Sequence, residues 1–356
     1  MSIEGLRTAP FHHEELPVTF YQFMSKFPDE ESAIDYFIHI RYGGVLTCPH
    51  CSAKDRVYRY RGRKKACHCK NCNNSFSPFK GTIFEKSTGK MWNWLYAIHL
   101  FLNARKGFAA MHLQRAIGGS YKTSHRMLHQ IRRAMANGEL KPFEGLVEMD
   151  EAYIGGKPRK YPPKLYDSET YSETEKLTTG RGTTKTAVAG LKERRSGRVY
   201  TQVMPPDKSG KKVSGPQLKA VIDKTCNSGS AIVTDEFSAY KILDKPVSSK
   251  VDPTLLDGTE FEGYVPPSYT HHTVCHKRYE WTAGTTEDGE VIHTNGIESH
   301  WAIVKRSHYG IYHFISAKYL PRYLDEYAFR QNTRESPGED VFDLLLKQSV
   351  LKPSKS

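Results

Sequence analysis

The chain has 356 residues, seven of them cysteine, and 52 Lys plus Arg against 39 Asp plus Glu, a formal charge of +13. That length carries two or three hydrophobic cores, and the basic excess points to a polyanionic partner, nucleic acid ahead of membrane. No apolar run nears the roughly 20 residues of a membrane span, and the N-terminus lacks the pattern of a secretory signal. The expected compartment is the cytoplasm, where paired cysteines serve metals better than disulfides.

Phe20, Phe23, Phe27, Ile34, Phe37 and Ile38 recur at helical spacing, which predicts a small helical cap with an apolar core stripe. Next come Cys48-Pro-His-Cys51 and Cys69-Lys-Asn-Cys72, a C-x2-C-x17-C-x2-C pattern. Each knuckle lets one tight turn offer two thiolates to one ion, and two knuckles complete the closed tetrahedron of structural zinc. So small a ribbon depends on its metal, whose binding is worth on the order of 10 kcal/mol. Cys67 and His68 adjoin the second knuckle, but Cys69 with Cys72 keeps the better spacing. Val57 to Tyr60 and the basic run Arg61 to Lys65 read as a hairpin with a cationic tip. Cap and ribbon make a first domain, 14–80.

Residues 88–138 read as a helix-turn-helix. Met91, Trp94, Leu95, Ile98, Phe101 and Leu102 mark a helix, and Trp92, Tyr96 and Leu100 extend its apolar face most of the way round. A second helix carries Met111, Leu113 and Ile117 and stops at Gly118-Gly119; Ser120 caps a third. In that layout the last helix enters the major groove of double-stranded DNA with its first turns at base edges and phosphates. Those turns hold Tyr121, Lys122, Thr123 and Arg126, with Arg132 and Arg133 further along for the backbone.

Residues 144–335 form the third expected domain, followed by a tail, 336–356. Leu146 to Asp150 alternates like a strand, Thr186 to Leu191 and Val199 to Met204 read as two more, and Gln217 to Cys226 as a helix. Ala231 to Thr234 is a short buried strand ending at Asp235. Strand, hairpin, helix, strand, helix resembles the ribonuclease-H-like order, an α/β domain with a mixed sheet. Asp150 and Asp235 are expected at strand ends, while Glu298 and Lys305 share one face of a helix anchored by Ile297, Trp301 and Val304. Three carboxylates brought from separate elements suit two divalent ions about 4 Å apart over a phosphodiester, and oxygen ligands suit Mg2+, with Mn2+ as substitute. Lys305 is placed to hold a phosphate. Asn295 and Glu298 also fit the spacing of a capping box.

Met149-Asp150-Glu151-x-Tyr153-Ile154-Gly155-Gly156-Lys157, Thr234-Asp235-Glu236 and His293-Thr294-Asn295-Gly296-Ile297-Glu298-x-x-Trp301-x-x-x-Lys305-Arg306 resemble DDE-type bacterial insertion-sequence transposases. The group concerned has an N-terminal zinc ribbon and is related to eukaryotic Merlin elements. Tyr309-Gly310, His313 and the run from Arg322 to Asn332 extend the match over nearly the whole chain. The resemblance implies cleavage at terminal inverted repeats and strand transfer to target DNA, with Asp150, Asp235 and Glu298 as metal ligands. Some relatives carry Asn as the third ligand, which keeps Asn295 beside Glu298. Two DNA ends imply a homodimer or larger assembly. Two other readings stand: a DNA-binding regulator whose last domain lacks chemistry, and a metal-dependent nuclease or resolvase with no joining step.

Residues 247–269 are punctuated by Pro253, Gly258, Gly263 and Pro266-Pro267, which reads as a loop insertion. The basic loop from Gly155 to Lys185 interleaves Tyr161, Tyr166 and Tyr171 and reads equally as a base-stacking or a solvated segment. His271, His272, Cys275 and His276 cluster in sequence, as strand-end polar residues or a second zinc site. Glu148, Glu151 and Glu236 read as accessory or exposed acids.

Overall fold

Thr19 opens the first helix, α1 (Phe20–Lys26), by reciprocal capping: its hydroxyl accepts from the Gln22 amide at 3.2 Å, and Gln22 Oε1 accepts from the Thr19 amide at 3.1 Å. Asp29 and Ser32 do the same for α2 (Glu30–Tyr42), which ends at Gly43 with φ 65°. The structure is a computed structural model describing residues 19–60, 66–136, 141–155, 185–207, 210, 212–244, 269–275, 282–286 and 289–351. It divides into two units, Met1–Ala136 with Thr333–Ser356, and Asn137–Asn332.

In the first unit, β1 (Val57–Arg59), β2 (Cys67–Cys69) and β3 (Asn74–Phe76) form an antiparallel sheet in that order. Helix α3 (Met91–Asn103) has no side-chain cap of its own; Glu30 accepts from the Met91 and Trp92 amides at 2.8 and 2.9 Å instead. Met91, Trp94, Leu95, Ile98 and Phe101 are buried, as their periodicity predicts. Helix α4 (Ala110–Ile117) stops at Gly118, and Ser120 accepts from the Thr123 amide at 3.2 Å to start α5 (Tyr121–Met135).

The second unit is built on a five-stranded mixed sheet. Its strands are β4 (Leu146–Ile154), β5 (Thr186–Glu193), β6 (Val199–Met204), β7 (Ala231–Asp235) and β8 (Thr270–Val274), in the order β6-β5-β4-β7-β8. β4, β5 and β6 pair antiparallel, while β4, β7 and β8 run parallel. Period-two alternation sends Val147 and Met149 to one face, packed with Leu218, Val221 and Ile222 of α6 (Gly215–Thr225). Ala152, Ile154 and Val188 go to the other, with Ile297, Trp301 and Val304 of α7 (Asn295–Ser307) and Leu320, Tyr323 and Leu324 of α8 (Leu320–Asn332). Burying an aliphatic side chain such as Ile297 is worth about 1.5–3 kcal/mol, enough in sum to hold α7 on the sheet. By the same alternation Glu148 and Asp150 belong to the α7 face. One expectation needs correction: β4 does not end at Asp150 but runs on to Ile154, because its pairing with β5 continues to Ile154↔Thr186.

The segment read from sequence as a tail carries α9 (Gly338–Leu351), which belongs to the first unit. Its Val341, Phe342, Leu345 and Leu346 are buried, and Phe342 stacks on Phe27 with ring centroids 6.2 Å apart. Of the stripe Phe20 to Ile38, only Phe20 departs from the core, at 50% exposure. Among the described residues no helix is long and apolar enough to cross a membrane.

Candidate metal centres

The Sγ atoms of Cys48, Cys51, Cys69 and Cys72 all lie within 4.8 Å of one another. Cys48 and Cys72 are 3.7 Å apart, Cys51 and Cys69 3.6 Å. A Zn–S bond of about 2.3 Å gives a tetrahedron with S–S edges of about 3.8 Å, so the quartet fits zinc. The Asn74 amide draws the Cys72 thiol down to about 7, whereas, against the pull of the Ala53 backbone, desolvation and the other three thiols push Cys51 up to about 12, as protons shared among crowded thiols do. Cys67 stands outside the quartet, its thiol pushed up to about 11 by burial. His68 is engaged with Ser75 at 3.3 Å.

The second candidate centre is built by strand register. β4 and β7 pair as Leu146↔Ala231, Val147↔Ile232 and Glu148↔Val233; continuing that offset two residues sets Asp150 across from Asp235. On the opposite side Asp150 pairs with Gly190 of β5. Gly190 leaves room for α7 to descend: a Cβ there would stand 2.4 Å from Trp301 Cζ2 and 3.0 Å from Ile297 Cδ1. Trp301 and Ile297 flank Glu298 along the helix, and the Glu298 charge acts on Asp150. The electrostatics agree. Burial pushes the Asp150 carboxyl up to about 7, and the charges of Glu151, Asp235 and Glu298 all add to the rise. A buried carboxyl held up by neighbouring carboxylates is a site that favours a cation.

Among the described residues only the cysteine quartet meets the 4.8 Å mutual separation, so the three carboxylates are not in mutual contact. Contact is not required of ligands on opposite sides of two ions about 4 Å apart. Asp235 Oδ1 accepts from the Phe237 amide at 3.0 Å, and Glu298 Oε1 from the Thr294 hydroxyl at 3.0 Å. Asn295 is exposed at the start of α7, and it forms no capping box with Glu298.

Thr294 is the N-cap residue, and the Ile297 amide, which its side chain would have capped, is claimed by Glu148, which is 1% exposed. Its Oε2 accepts from the Ile297 amide at 2.8 Å, and its Oε1 lies 2.6 Å from Arg194 Nη2 and 3.4 Å from His293 Nδ1. Sequence reasoning left this acid as accessory or exposed. Burial of the even residues of β4 under α7 is the signal that would have found it. Glu151 faces the other side of the sheet, where Tyr240 donates to it at 2.8 Å. Cys275 bonds to Glu236 at 2.8 Å, and His271 to Thr234 at 2.8 Å and to Asp244. His276 lies outside the described residues, as do most of the segment 247–269, the loop residues 156–184 and the cationic tip 61–65.

Tyr121, Lys122, Thr123 and Arg126 are all exposed on the first turns of α5, and Lys305 is exposed on α7. Arg132 corrects an expectation. At 2% exposure it lies over the Phe101 ring and donates to the Phe108 carbonyl, so it is not presented to a phosphate backbone.

Residues 142–251 and 257–332 match the profile of the ISXO2-like transposase domain, and residues 28–75 match that of a transposase zinc-ribbon domain. The chain is similar, at 26% identity over 333 residues, to a protein described as uncharacterized in transposable element ISH50 of Halobacterium salinarum. That similarity covers 91% of this chain and 98% of the relative.

Proposed function

Because the chain belongs to the ISXO2-like transposase family, we propose that it binds the terminal inverted repeats of an insertion sequence, cleaves DNA there and transfers the 3′ end to target DNA. The observation that carries this reading is the β4–β7 register that sets Asp150 across from Asp235, with burial and the charges of Glu151, Asp235 and Glu298 raising the Asp150 carboxyl. Asp150, Asp235 and Glu298 would hold divalent cations, Mg2+ or Mn2+. When bound, such a pair activates the attacking oxygen and stabilises the leaving one. The chain's own part is to present the three carboxylates and to hold the DNA, with Lys305 on a phosphate near the scissile bond.

In this reading residues 144–335 are a ribonuclease-H-like catalytic domain. Residues 14–80, with zinc on Cys48, Cys51, Cys69 and Cys72, and the helix-turn-helix 88–138 recognise the ends, through Tyr121, Lys122, Thr123 and Arg126. Two ends in one reaction call for a homodimer or larger assembly acting in the cytoplasm.

The test is a duplex carrying the element's own end, incubated with target DNA and Mg2+. Wild-type protein is expected to yield cleaved and joined products, and Asp235→Asn neither. Cleavage without joining would assign a nuclease or resolvase. Binding without either product would assign a regulator.

A further inference from the structure

Helix α7 caps itself only in part. Its N-cap residue Thr294 makes no side-chain capping bond and the Asn295 amide bonds to His293 Nδ1 at 3.3 Å, which leaves the Ile297 amide to find an acceptor elsewhere. Glu148 supplies one from the neighbouring strand, through the Ile297 amide. A buried carboxylate is costly unless it is paired and hydrogen-bonded, and this one is both. Oε2 is committed to the helix, and Oε1 to the Arg194 guanidinium. With both oxygens so engaged, Glu148 is turned away from the role of a fourth metal ligand, although it stands only two residues from Asp150.

The same carboxylate dictates the residue before Ile297. A Cβ on Gly296 would fall 2.7 Å from Glu148 Oε2 and would push that carboxylate off the Ile297 amide. Partners on β5 and just past its end complete the clamp. Lys192, which pairs with Glu148 across the ladder, donates to the Gly296 carbonyl at 3.3 Å. Arg194 donates to the carbonyls of Val291 and His293 at 2.9 and 3.0 Å. The whole approach to α7, from residue 291 to residue 297, is therefore tied to two strands.

We propose that Glu148 is a positioning residue: by capping α7 at Ile297 it fixes where Glu298, the next residue, presents its carboxylate to Asp150 and Asp235. The inference rests on reading those three as the metal ligands. It assigns no chemistry to Glu148 itself. A charge-assisted bond to a helix amide is stronger and shorter than a neutral one, and the negative charge also complements the helix dipole.

The experiment uses full-length zinc-loaded protein and the variants Glu148→Ala, Glu148→Gln, Gly296→Ala and Asp235→Asn. Mn2+ affinity is read by calorimetry, and amide exchange over residues 293–301 in metal-free protein. Asp235→Asn first separates the two claims. If it binds Mn2+ as wild type does, the metal reading fails and this proposal with it. If it does not, the Glu148 variants decide.

Glu148→Ala is expected to weaken Mn2+ binding about 10- to 100-fold and to speed exchange at Ile297, with zinc content and DNA affinity unchanged. Glu148→Gln keeps a neutral acceptor and should fall between Ala and wild type. Unchanged exchange with lost Mn2+ affinity would make Glu148 a ligand and overturn the proposal, as would unchanged Mn2+ affinity. Should Glu148→Ala fail to fold, Gly296→Ala carries the test. It removes no functional group and raises helix propensity, so loss of Mn2+ affinity there supports the clamp and wild-type affinity overturns it.

Discussion

Trp301 fills the space that a side chain at Gly190 would need, with its Cζ2 2.4 Å from the position of a Cβ. Gly190 is also the β5 partner of Asp150. A close approach of α7 to the sheet thus lies beside the residue around which the candidate centre is built. Gly190→Ala must lift the helix or distort the strand, and overpacking of this kind costs about 1–3 kcal/mol. Urea unfolding should show that loss; an unchanged midpoint would mean that the helix does not sit this close.

The thiol quartet makes a claim that metal analysis can check. Cys48→Ser or Cys69→Ser should lose zinc and unfold the ribbon, since a structural zinc supplies on the order of 10 kcal/mol. Cys67→Ser should keep the zinc, because Cys67 stands outside the four. Retention of zinc in Cys69→Ser with loss in Cys67→Ser would reverse the assignment.

Exposed Lys122 and Arg126 are proposed phosphate or base contacts on α5. Each phosphate contact contributes about 0.9 to the slope of log affinity against log salt. Replacing both by Ala should weaken end binding and shrink that slope by about 2. Arg132→Ala should instead lower stability, since its side chain packs on Phe101 inside the unit. A salt slope untouched by the Lys122 and Arg126 changes would remove α5 from the interface.

Asp150 gives the metal-free protein a distinctive pH dependence. Its carboxyl is raised from 3.8 to about 7, by burial first and neighbouring carboxylates next. Between those values the folded chain holds a proton that the unfolded chain releases, so stability falls as pH rises through the window. Asp150→Asn should flatten this slope and be more stable than wild type at neutral pH in chelator. Parallel pH profiles for the two proteins would contradict the crowding of carboxylates.

Much of this was legible because it is local. Cysteine spacing marked the quartet, and Ile297, Trp301 and Val304 marked the buried face of α7, since helical periodicity does not depend on partners. What stayed hidden depends on pairing. β8 reads Thr-His-His-Thr-Val, an edge strand whose apolar alternation is too weak to announce itself. Glu148 looked like a surface acid because its partners, Arg194 and Ile297, are distant in sequence and meet it only once β4, β5 and α7 are assembled. Gly190 is one small residue in an apolar run, and nothing local says that a tryptophan from α7 will cover it. The C-terminal helix α9 was passed over for the same reason, because its core partners Phe27 and Tyr36 lie near the other end of the chain.

A crystal of the protein soaked in Mn2+ and measured at the manganese edge would test the central claim most directly. The account calls for anomalous peaks about 3.5–4 Å apart, bounded by the carboxylates of Asp150, Asp235 and Glu298, with Glu148 still bonded to the Ile297 amide. Manganese held by other side chains, with these three left unligated, would contradict it.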